Sequence, residues 1–261
     1  LLSPLGRFNL AHDSPLNEFT DRPLVSTEVI GTALTEPGIG ILGQGGVGAG
    51  RITYELYAVN GFHDGVITSS PDGTRIPAGK RNTNDGNASP AFVGRVSWSP
   101  MLGYEVGLSA HRGAYNVFQL DGERVDERRD VRVTVLDLQA TFAGLELSGE
   151  ALIARVQLPA GLQGVYASRQ QGLYAQAVRR FGRGWIDVMP GSFFEVGVRY
   201  DVVDFDAELT GDSVQRVSAG INFRPGEDVA LKLNFIRGRT RDRFNNPGDQ
   251  AGVLFSIASY F

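Results

Sequence analysis

Charged side chains recur at every second position of otherwise apolar runs in this sequence. The basic members are Arg95, Arg199, Arg216, Arg224 and Lys232, and the acidic ones are Glu55, Glu105, Glu146, Glu150 and Glu195. Alternate residues of an extended strand share one face, so these ten would line a single surface. Charges that line a water-filled passage set which ions cross it. In hydrocarbon each would cost about 2–4 kcal/mol near the midplane, so the pattern assigns them to a wet lumen. Both signs occur in similar numbers, and neither strong anion nor strong cation selection follows. The competing reading is that they pair across the lumen and keep it hydrated.

A second set lies in NLAHDSPLNEFTDRPLV (9–25). Ser14 has the chemistry to cap a short helix with Pro15 at its first position, and Pro23 would stop its extension. A connection of about 28 residues is long for a compact domain and is often functional. Asp13, Glu18, Asp21 and Arg22 are therefore expected near a constriction. The plainer reading is a loop over the rim or a subunit contact.

Other motifs point away from catalysis. His12–Asp13–Ser14 has the residue types of a triad, but adjacent side chains diverge and a triad must converge. His12, His63 and His111 are isolated, with no metal-ligand spacing. GQGGVG (43–48) fits a dinucleotide pattern that requires a following helix; RITYELYAV follows and alternates as a strand, which predicts a glycine-rich turn. SPDGTRIPAGKRNTNDGNASP (70–90) lacks the spaced carboxylates of a calcium loop and reads as a flexible surface loop. No cofactor is expected.

The 261 residues carry a net charge of -4, 34 glycines and no cysteine, which excludes disulfides and thiolate metal sites. Only Lys80 and Lys232 are lysines, and the short arginine runs RRDVR and RGRTRDR contain acids, so no nucleic-acid partner is expected. No run of about 18 apolar residues exists, which rules out a membrane helix but not a membrane barrel.

Period-two alternation predicts about twelve strands, near 1–8, 37–45, 51–60, 90–99, 103–113, 131–143, 145–157, 171–181, 192–205, 214–224, 229–239 and 251–261. Long and short links alternate between them, with 182–192 the exception. That parity is characteristic of barrels with long extracellular loops and short periplasmic turns. Trp98, Tyr104, Phe142, Phe223 and Phe261 fall near the short turns, where an interfacial girdle belongs. Within 131–143 the apolar phase shifts from Val131, Val133 and Val135 to Leu136, Leu138, Ala140 and Phe142, which predicts a bulge. The expected fold is an all-β, antiparallel transmembrane β-barrel forming a single outer-membrane domain over 1–261. LLSPLGRF reads as a strand in progress, so a leader and earlier strands are expected ahead of it.

Two stretches carry a resemblance. The final strand, ending SIASYF, resembles the carboxy-terminal signature of bacterial outer-membrane proteins, apart from Ser259. It implies that Phe261 is an assembly signal read by barrel-assembly machinery. PLGRFNLAHDSPLNEFTDRPLVSTEVIGTALTEPGIGILG (4–43) resembles the phosphate-selective (O/P-type) porins through GRFN, HDSP, DRPLV and EPGIG. The resemblance implies a sixteen-stranded, trimeric, water-filled channel embedded in outer-membrane lipid, with about four strands ahead of Leu1. Phosphate selection by pore lysines does not carry over, since only two lysines exist. The implied function is passive diffusion of small hydrophilic solutes or ions, without enzymatic activity. The alternatives are a structural or partner-binding barrel with a plugged lumen, a barrel enzyme, and a soluble β-sandwich.

Overall fold

The computed structural model describes residues 1–68, 73–80 and 86–260. Among them run thirteen strands: β1 (Gly38–Val47), β2 (Gly50–Val59), β3 (Ala91–Ser99), β4 (Tyr104–Ala114), β5 (Gln119–Leu120), β6 (Glu123–Arg124), β7 (Asp130–Phe142), β8 (Leu145–Val156), β9 (Arg169–Phe181), β10 (Phe193–Asp204), β11 (Ser213–Gly226), β12 (Val229–Arg241) and β13 (Pro247–Ser259). β5 and β6 form a small hairpin of their own. The other eleven make one sheet, each paired antiparallel with the next in chain order. Their bounds follow the alternation closely, because each strand keeps one apolar and one polar face for most of its length.

The turns explain the tight connections. Ala143 and Gly144 between β7 and β8 both have positive φ (49° and 74°). A two-residue hairpin with positive φ at both positions matches the right-handed twist of its strands. GQGGVG runs through the end of β1 into the Gly48–Ala49 turn, and β2 follows rather than a helix.

Residues 1–8 are not a strand of the sheet. Leu1 to Ser3 are extended but pair with the chain's own 34–36: Ser3 N–H donates to the Leu34 carbonyl and Glu36 N–H to that of Leu1, both at 2.9 Å. Gly6, at φ 79°, then bends the path into a helical turn, Arg7–Leu10. The alternation of LLSPLGRF reflects extended chain in a packed interior, not sheet pairing. Ser14–Pro15 likewise makes a turn instead of a helix, because the Ser14 and Pro15 carbonyls accept from Lys232 and Arg224 of the sheet. Pro23 precedes a helix, the π-helical Val25–Ile30, instead of blocking one.

No bulge interrupts β7, which pairs with β4 and β8 in unbroken register. Val131, Val133 and Val135 point inward and are buried, while Leu136, Leu138 and Phe142 point outward and are exposed. The phase shift marks a change in what the interior contains, from apolar packing at the long-loop end to charge further down. The register irregularity lies elsewhere, between Phe223 and Gly226 in the β11–β12 pairing.

Residues 1–37 lie against the inner face of the sheet and contact β4 and every sheet strand from β8 to β13. One segment reaches so many strands only if the sheet curls around it. At the long-loop end Leu5, Val25, Val29, Ile30 and Leu34 join Val93, Val133, Leu152 and Val203 of the wall in an apolar cluster. Val66, Ile67 and Ile76 also enter this cluster, so the described part of the 61–90 connection packs inward instead of spreading over the surface. Among the described residues, no helix is long and apolar enough to cross a membrane.

Candidate functional site: a lumen of paired charges

Toward the short-turn end the inner face becomes polar, because strand alternation delivers a charged residue to the same side at every second position. All ten wall residues expected to line a lumen face inward, and most join one of three clusters. In the first, Arg95 of β3 donates to Asp137 of β7 at 2.6 and 3.1 Å and to Glu105 of β4 at 2.9 Å. Arg7 of the inner segment reaches the same Glu105 at 3.1 Å. Gly107 makes this possible: a Cβ there would overlap the Arg95 guanidinium and lie within 3 Å of both Asp137 oxygens.

The second cluster joins four neighbouring strands. Arg180 of β9 lies 3.3 Å from both Glu146 of β8 and Glu195 of β10, and Arg224 of β11 lies 2.8 Å from Glu195. The third ties the wall to the inner segment. Arg199 contacts Asp21 at 2.8 Å and Asp201 at 2.9 Å, and Arg216 contacts the same carboxylates at 2.9 and 3.5 Å. Each cluster holds two arginines and two carboxylates, so each is neutral. In the pairs with both partners buried, Arg95–Asp137, Arg199–Asp201 and Arg224–Glu195, neutrality offsets the several kcal/mol that desolvating each ion costs.

The inner segment is anchored at further points. Gly6 N–H donates to Ser109 Oγ at 2.9 Å, and Phe8 N–H donates to Glu150. A Cβ on Gly6 would sit 3.0 Å from the Glu150 carboxylate, and its φ is positive, so GRFN needs its glycine twice over. Lys232, fully buried, donates to the Ser14 carbonyl, and Asn222 to that of Glu18 at 2.7 Å. Glu55 accepts from Tyr57 at 3.0 Å.

Of the four residues expected at a constriction, Glu18 and Asp21 face the polar wall. Arg22 contributes its backbone carbonyl to Arg199 and Arg216, while its guanidinium turns back to the Thr32 carbonyl at 3.3 Å. Asp13 sits at the short-turn rim, exposed, where it accepts from Tyr260 at 3.1 Å. Burial is the main cause that raises the Glu18 pKa above its usual value, Glu195 and Glu146 add to it, and hydrogen bonds from the backbone and Gln176 oppose it. Asp137 and Arg7 were missed by sequence reasoning, Asp137 because the phase shift in β7 hid its face. Phe261 lies outside the described residues.

The histidines form no catalytic arrangement with serine among the described residues. His111 is buried against Glu36 at 3.2 Å with the Phe62 ring beside it. His12 is 3.9 Å from Asp13, and His63 caps Gly65. Outside, Phe181, Trp185, Phe194 and Phe223 form a contiguous aromatic cluster at the short-turn end. Trp185 belongs to the long 182–192 connection, whose extra length places this ring in the girdle.

The outer membrane channel DcaP of Acinetobacter baumannii superposes with a TM-score of 0.55 over 94% of this chain and 68% of that one, at 11% identity. The fold is that of an outer-membrane β-barrel. An uncharacterized protein of Aquifex aeolicus (strain VF5) is 27% identical over 278 residues, covering 98% of this chain. The barrel sequence thus spans 60% of that relative's length. LpxR from Salmonella typhimurium aligns at a TM-score of 0.29 and 13% identity over 86% of this chain and 88% of that one, too low to bear on the barrel. No family model matches.

Proposed function

We propose that this chain is part of an outer-membrane porin, a water-filled channel for passive diffusion of small hydrophilic solutes or ions, with residues 1–37 narrowing its lumen. The observation that carries this reading is the Asp21–Arg199–Asp201–Arg216 cluster, which fixes the inner segment to a polar wall. A segment held by ion pairs along a polar wall narrows a passage without filling it with hydrocarbon side chains. The outer apolar faces and aromatic girdle suit a membrane location, with the short turns periplasmic. In this reading three copies assemble, Phe261 serves the assembly machinery, and no catalysis is involved.

A second reading has one observation in its favour: the apolar cluster around Leu5, Val29 and Val133 packs the long-loop end of the interior. It supports a plugged barrel with a structural or partner-binding role. Planar-bilayer recording of the full-length protein separates the two. Stepwise conductance supports the porin; silent insertion, with the protein recovered folded from the bilayer lipid, overturns it in favour of the plug.

A further inference from the structure

Four arginines stand in one row on the outer face. Arg112 of β4 is directly opposite Arg132 of β7, Arg132 opposite Arg155 of β8, and Arg155 opposite Arg169 of β9. Their inward neighbours His111, Val131, Val133, Ala154, Val156 and Gln170 are all buried, while the four arginines are exposed. Strands are spaced about 4.8 Å apart, so the row covers about 14 Å. Like charges directly opposed across strands destabilise a sheet, and here three such pairs are consecutive.

The protein neutralises only one end of the row. Asp130 accepts from Arg112 at 2.9 Å, lies 3.9 Å from Arg132, and is shared with Arg128. Among the described residues, neither Arg155 nor Arg169 has a carboxylate within ion-pair distance. Arg132, Arg155 and Arg169 line an open groove of about 460 Å³, whose acidic lining is Asp130 and Glu208. The Glu208 carboxylate accepts from Ser168 Oγ. Positive charge remains in excess.

The height of the row is informative. Below it, past Thr134 and Gln171, the outer face is apolar through Leu108, Leu136 and Leu173, down to Phe142 at the short-turn end. Ten residues separate Phe142 from Arg132; at about 3.4 Å per residue and a tilt near 40°, that is about 26 Å along the barrel axis. The apolar band of such barrels is about 25 Å tall, so the arginines emerge at its outer edge.

We infer that the Arg112–Arg132–Arg155–Arg169 row binds the phosphate groups of an anionic phosphorylated lipid in the outer leaflet. Guanidinium forks match phosphate oxygens bidentately, and the groove faces the level at which headgroup phosphates lie. The inference rests on the outer-membrane reading above.

The test uses the full-length protein in phosphatidylcholine nanodiscs doped with bisphosphorylated lipid A or its dephosphorylated form, with retained glycolipid measured by native mass spectrometry. Wild type is expected to retain the phosphorylated form about tenfold better. R155Q/R169Q removes most of that preference, R155K/R169K keeps part of it, and millimolar inorganic phosphate does not displace the lipid. Equal retention of the two lipids, a Gln variant that retains lipid like wild type (as a subunit-contact role would give), or displacement by inorganic phosphate overturns the inference. Heat-modifiable gel mobility is read in parallel. Folded wild type without lipid preference sinks the lipid site alone, whereas wild type without that mobility sinks the barrel reading as well.

Discussion

Arg199 Nη2 lies 2.8 Å from Asp21 Oδ2, although 178 residues separate them. The contact joins the segment inside the barrel to its wall, and Arg216 and Asp201 close it into a four-membered ring of ion pairs. Asp21→Asn leaves two arginines facing one carboxylate. Unpairing a buried ion costs about 3 kcal/mol. The expected outcome is a larger single-channel conductance and a reversal potential shifted toward anion preference, measured in a salt gradient. Unchanged conductance and selectivity would remove Asp21 from the constriction.

Glu18 carries a pH dependence. Its folded pKa lies above the ordinary carboxylate value, so the protonated form is the one the docked segment favours. That contribution is fully present below the unfolded pKa and is lost as pH rises through the folded one. As pH rises above the ordinary carboxylate range, docking loosens and the open fraction of recordings increases. Glu18→Gln flattens the profile; a profile identical to wild type excludes Glu18 as the titrating group.

The Arg95–Asp137 pair sets up an asymmetric double-mutant cycle. Arg95→Met alone leaves the fully buried Asp137 carboxylate without its partner, at a cost of about 3–5 kcal/mol. Arg95→Met with Asp137→Leu removes both charges, and Arg7 still serves Glu105. The double variant should lose its heat-modifiable mobility at a higher temperature than the single one. Additive losses would mean that the two residues do not stabilise the wall as a pair.

Two glycine substitutions test the packing of the same cluster. Gly107→Ala puts a methyl group into the Arg95 guanidinium and the Asp137 carboxylate, and should destabilise by about 1–3 kcal/mol. Gly45→Ala meets nothing within 4 Å and serves as the control. Equal thermal stability of both variants would contradict the close approach at Gly107.

Eleven strands were legible because each keeps a two-residue period for most of its length, and link parity gave their alternating directions. Residues 1–8 misled because extended chain packed in an interior reads just as a strand does; only the partner differs, and the partner of Leu1–Ser3 is the chain's own stretch 34–36. The valines of β7 misled because the interior is not uniform: apolar where Val29 and Ile30 press on it, charged where Arg95 does. The ten wall charges could be placed by parity alone. Their pairings could not, since these depend on register and on where Asp21 and Arg7 of the inner segment dock against the wall.

The neutrality of the three lumen clusters has a consequence for how current would scale. A passage with fixed charge of one sign keeps mobile ions in place even when the bath is dilute, and its conductance levels off there. Here every wall cluster balances internally, with Arg7, Arg180 and Asp21 completing the sets. A channel lined this way draws its carriers from the bath alone. Its conductance should fall in proportion to bath salt well below physiological strength, where a charged pore would reach a floor.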